Sequence, residues 1–127
     1  MTNHTPRAVI AALLVALGGC GRDAGPDLQP GVLTAALVSP NGPEGAALIS
    51  LVGSGLGTVD APAGRVFQFS QGDTTRVLLV LDVPGDVIFR VSVPNLRDPP
   101  SATVTQVADG ENRLRQDVST YRVRFQP

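Results

Sequence analysis

The chain has 127 residues, a length suited to one domain, and its 14 glycines and 11 prolines disfavour long helices. Ten basic side chains, all arginine, against 11 acidic ones give a net charge of −1, so there is no overall attraction for nucleic acid. A single cysteine excludes an internal disulfide, and the absence of tryptophan together with that of a disulfide excludes an antibody-type domain.

Residues 1–7, MTNHTPR, carry the amino terminus and Arg7 with no acid, and AVIAALLVALGG then runs 12 residues without a charge. Such a run is too short to span a hydrocarbon core of about 30 Å, which takes about 20 helical residues. It matches the apolar region of a secretory signal peptide followed by small residues at a cleavage point. The stretch LGGC, Leu17 to Cys20, resembles the lipobox of bacterial lipoproteins. That resemblance implies a signal peptide over residues 1–19, cleavage before Cys20, and a diacylglycerol on the Cys20 sulfur. The first partner expected is therefore a lipid bilayer. Each buried methylene contributes about 0.8 kcal/mol, so one acyl chain holds marginally and two or three hold stably. Residue 21 is glycine rather than aspartate, which in a Gram-negative cell implies the outer membrane. The expected location is the bacterial cell envelope.

Residues 20–31 read as the lipidated cysteine and a flexible tether, because GRDAGPDLQPG has little to bury. Eleven extended residues reach at most about 35–40 Å, which keeps the following domain near the membrane surface.

Residues 32–127 change to short apolar runs separated by turn residues. The predicted strands are Val32–Ser39, Ala46–Gly53, Arg65–Gln71, Thr75–Val83, Val87–Val93, Ala102–Ala108 and Tyr121–Phe125. Val87, Phe89, Val91 and Val93 alternate with Arg90 and Ser92. Tyr121, Val123 and Phe125 alternate with Arg122 and Arg124, and Phe67 and Phe69 with Gln68 and Ser70. Each apolar set is expected to face a core and each polar set water, as in antiparallel sheets. VLLVL, Val77 to Leu81, is apolar on both faces and reads as a central strand. The fold class is all-β: a single antiparallel two-sheet sandwich of about seven strands, of immunoglobulin type. The domain is similar to cohesin-like and related bacterial sandwiches, with no motif that transfers residues.

The only histidine is His4, inside the predicted signal peptide, and no lysine occurs. Serine, cysteine and lysine nucleophile systems therefore lack a base, and a histidine–thiolate zinc site lacks ligands. GSGLG, Gly53 to Gly57, lacks the lysine of a phosphate loop and reads as a turn. Asp109, Glu111 and Asn112 share one loop without calcium-loop spacing, and a turn cornered at Asp109-Gly110 accounts for them. Glu44 and Glu111 are the only glutamates available as an acid pair, and nothing else singles them out. Tyr121 reads as a corner tyrosine bonding backbone or as core. No catalytic residue, metal or cofactor is expected. The function expected is a non-catalytic binding or adhesion module; the alternative is a structural component packing against another envelope protein. An exposed aromatic strip would favour glycan recognition, but the core positions assigned to most of the aromatics leave none, which favours protein contact. Arg90, Arg122 and Arg124 fall on outer strand faces and form a possible surface for an anionic or envelope-protein partner, since guanidinium groups donate to carboxylate or phosphate in a planar fork.

Overall fold

The structure, a computed structural model, describes residues 27–127. The predicted signal peptide and Cys20 lie outside the described residues. Among the described residues there are eight strands and no helix: β1 (Gly31–Val38), β2 (Glu44–Val52), β3 (Val59–Asp60), β4 (Arg65–Gln71), β5 (Thr74–Gly85), β6 (Ile88–Val93), β7 (Ser101–Ala108) and β8 (Arg122–Gln126). They form two four-stranded antiparallel sheets, ordered β3-β6-β1-β8 and β4-β5-β2-β7.

The two sheets face each other as a β-sandwich. Alternation supplies the core: Leu33 and Ala35 from β1, Phe89, Val91 and Val93 from β6, Ile49 and Leu51 from β2, and Val77 and Leu79 from β5 are buried between the layers. Val123 and Phe125 of β8 pack against the same cluster from the margin. β5 lies between β4 and β2, the central position expected of a strand apolar on both faces.

An immunoglobulin sandwich orders its strands A-B-E-D and C-F-G. With β1 to β7 lettered A to G, the B-E-D and C-F adjacencies are kept. The first strand instead sits beside F, β7 sits beside B, and β8 is added outside the first strand. β3 escapes sequence reading because it has two residues, too few for a period to show.

Two turns set the position of β4. Gly64 precedes it with φ +82, and a Cβ there would collide with the Val80 carbonyl oxygen of β5. Gly72, with φ +60, and Asp73 close the two-residue hairpin from β4 into β5, a connection that demands left-handed backbone. At the other end of the chain, the Leu96 N–H donates to the Gln29 carbonyl at 2.7 Å, and Gly31 pairs with Val93. The last residues of the segment expected to be tether are thus held against the sandwich.

Candidate recognition surface

β4 faces the opposite way from its expected orientation. Phe67 and Phe69 were the expected core set; they are 54% and 64% exposed, on the outer face of the β4-β5-β2-β7 sheet. Gln68 is the side chain that turns toward the opposing sheet. Its Nε2 donates to the Gly57 carbonyl at 2.8 Å, and its Oε1 accepts from the Val59 N–H at 3.1 Å. Ser70 shares a hydrogen bond of 3.0 Å with Thr75, and only Val66 of this strand packs against the core. The physical reason is local. β4 lies at the sheet edge, opposite the backbone around two-residue β3, whose free polar groups need partners. A period of two gives two possible faces, and the amide of Gln68 meets that need where a phenyl ring would not. The expectation that no aromatic strip stands in the open is corrected with it.

The strip continues across the sheet. Phe67 is directly opposite Leu78 on β5, which is opposite Leu48 on β2. The next row holds Phe69, Arg76 and Ser50, and the row on the other side Arg65, Val80 and Ala46. Directly opposed side chains in such pairs sit about 4.5–5.5 Å apart at Cβ, close enough to act as one surface. Leu48, Phe67, Gln68, Phe69, Arg76 and Leu78 line a shallow groove of about 310 Å³. Leu48 and Leu78 also border a second depression that reaches exposed Leu114. Arg76 is the one charged side chain of the groove. Contiguous exposed apolar surface of this kind marks interaction sites in soluble domains.

A polar cluster closes one end of the sandwich. Glu44 opens β2 and is 1% exposed. Its Oε1 accepts from Arg115 Nε at 3.0 Å and Nη2 at 2.7 Å. Its Oε2 accepts from Ser39 Oγ at 2.9 Å and from the Tyr121 hydroxyl. Asn41 Nδ2 in turn donates to the Tyr121 hydroxyl at 2.8 Å. Burial alone would raise the Glu44 pKa. The hydrogen bonds from Arg115, Tyr121 and Ser39, with the charge of Arg115, outweigh it and hold the carboxyl below its ordinary value. Every acceptor position of the carboxylate is thereby occupied, so the cluster clasps the β7–β8 connection to the β1–β2 turn. Of the two readings of Tyr121 the core one holds, since it is buried in the core cluster, and its hydroxyl bonds side chains, not the backbone expected of a corner tyrosine. Neither Arg115 nor Asn41 carries a sequence signal for this role.

The other expected site residues are dispersed. Arg90, Arg122 and Arg124 are all exposed on the outer face of the β3-β6-β1-β8 sheet, but β1 separates β6 from β8. Two strand spacings, about 10 Å, therefore part the two strands, and the register sets Arg124 and Arg122 a further two and four residues along β8 from the level of Arg90. Arg90 is paired with Asp60 at 2.7 Å, and Arg122 donates to the Ser119 and Tyr121 carbonyls at 2.7 and 2.8 Å. Glu111 pairs with Arg113 at 2.7 Å and is not among the partners of Glu44. Asp109 accepts from the Glu111 and Arg113 N–H groups at 2.8 and 3.0 Å, the turn role expected of it, and Asn112 supplies the left-handed residue at φ 63. A wider valley of about 600 Å³ lies among the loops near Leu28, Gly53 and Pro100, with Asp98 its only ionisable side chain. Among the described residues no three metal-ligating side chains gather, and no helix is long and apolar enough to cross a membrane. Comparison of the chain with protein families, curated proteins and solved structures finds no match.

Proposed function

We propose that the chain is a lipid-anchored lipoprotein of the bacterial envelope whose sandwich is a non-catalytic binding module working through the outer face of the β4-β5-β2-β7 sheet. The observation that carries this reading is the open row Phe67–Leu78–Leu48 with Phe69 beside it. Phenyl rings held on a rigid sheet lose little conformational freedom on contact, which makes them effective anchors for a partner. Arg76, Ser50 and Gln106 add polar donors around them, the mixture suited to an envelope protein or a glycan. The anchor rests on the resemblance of Leu17 to Cys20 to a lipobox. The absence of catalysis rests on residues 27–127 containing no histidine, lysine or cysteine.

Crosslinking in cells tests both parts. Phe67→Ser with Phe69→Ser should remove adducts between the chain and envelope partners while leaving the chain in the membrane fraction. Cys20→Ser should move the chain out of that fraction. Undiminished adducts in the double serine variant would remove the face from the account. An unmodified Cys20 thiol by mass spectrometry would remove the anchor.

A further inference from the structure

The sandwich has four sheet edges, and three of them are protected against pairing with another strand. β3 is two residues long. The end of β7 is covered by its own downstream loop, through the Arg115 N–H bond to the Val107 carbonyl at 2.7 Å and the bridge between Ala108 and Leu114, and a bulge between Val104 and Gln106 breaks the rest of that edge. β8 carries Arg122 and Arg124, whose charges disfavour a like strand beside them. β4 has none of these devices. It runs seven residues, RVFQFSQ, in unbroken register with β5, with no proline, no bulge and one charge at its start. Among the described residues no strand lies on its other side.

We infer that β4 pairs with β4 of a second copy of this chain, antiparallel about a two-fold axis through Gln68. That register aligns all seven residues of the strand. It sets Phe67 opposite the second copy's Phe69 and Phe69 opposite its Phe67, so four phenyl rings meet on the outer face. Val66 then faces Ser70 and Arg65 faces Gln71, and no like charges oppose one another. The strand is self-complementary, as a two-fold interface requires. Pairing joins two four-stranded sheets into one continuous sheet and uses the single bare edge of each copy. The assembly therefore closes at two copies instead of growing. It shares Phe67 and Phe69 with the outer face but requires no partner there.

Disulfide trapping in the full chain reads the register. Directly paired residues of antiparallel strands have Cα atoms about 4.5 or 5.5 Å apart, inside the range a disulfide spans. Phe67→Cys and Phe69→Cys chains expressed together should give a crosslinked pair. Either variant expressed alone should give at least tenfold less, because position 67 does not face itself. Sedimentation of the unaltered chain in detergent should show a concentration-dependent dimer. Phe67→Lys with Phe69→Lys should weaken it at least tenfold, whereas Leu78→Ser, on the same face but one strand in from the edge, should leave it unchanged. A monomer at every concentration, equal trapping in the single variants, or trapping of Leu78→Cys with itself would overturn the edge pairing.

Discussion

At the scale of single residues, Glu44 makes the sharpest demand on the fold. A carboxylate 1% exposed is tolerated only because four donors from Ser39, Arg115 and Tyr121 meet it. Its pKa lies below the ordinary value, so its contribution to stability is fully present above the unfolded pKa of about 4.3 and is lost as pH falls through the lower folded value. Asp109, held low by the Arg113 and Glu111 N–H groups, and Asp117, held low by Ser119, act in the same direction. Stability measured by denaturant titration should therefore hold from pH 7 to about pH 5 and fall below it toward pH 3, and Glu44→Gln should flatten that fall while lowering stability at pH 7. Arg115→Ala should cost about 2–3 kcal/mol at pH 7. That is less than the about 3–5 kcal/mol of a fully buried pair, because Arg115 is partly exposed and two hydroxyls still face the carboxylate. Equal stability of Arg115→Ala and the unaltered chain would show that the clasp is incidental. None of this was legible in the sequence. Glu44 stands in a turn cluster, and its cation lies 71 residues away, brought in by a loop with no periodic pattern.

At the scale of strands, β4 separates what alternation can determine from what it cannot. The boundaries Arg65–Gln71 were legible because Gly64 and Gly72 flank the run. The facing was not, because a period of two states which residues share a side but not which side is covered. On β6, where Phe89 and Val91 alternate with Arg90 and Ser92, the apolar side is also the core side. On β4 the opposing layer offers backbone polar groups instead, and Gln68 answers them. The stabilities of substitutions should consequently invert the usual order. Gln68→Ala should cost about 1–3 kcal/mol by leaving the Val59 N–H and the Gly57 carbonyl without a protein partner. At concentrations low enough for the chain to be monomeric, Phe67→Ser and Phe69→Ser should each cost less than about 1 kcal/mol, the value of a cross-strand pair. Thermal denaturation of the three variants checks the order, and large losses at Phe67 or Phe69 with none at Gln68 would reverse the facing of β4.

At the scale of the whole molecule, the sandwich was legible because seven runs with turn signals and no helical period leave few other architectures. Its single core makes a matching demand. Phe89 is fully buried where the two sheets meet, and Phe89→Ala should cost about 3–5 kcal/mol, a large share of the about 5–15 kcal/mol usual for a domain. Circular dichroism and a urea titration of that variant would measure it. The apolar outer face was not legible, because its rows run across β4, β5 and β2, and residues such as Phe67, Leu78 and Leu48 become neighbours only through pairing. The central claim is that this face, and not the arginine-bearing face of the other sheet, meets the partner. Photo-crosslinking in cells tests it most directly, with a photoreactive residue placed at Leu78 on one outer face and at Arg124 on the other. The account predicts adducts heavier than two copies of the chain from position 78 and none from position 124. Adducts from position 124 alone would contradict it.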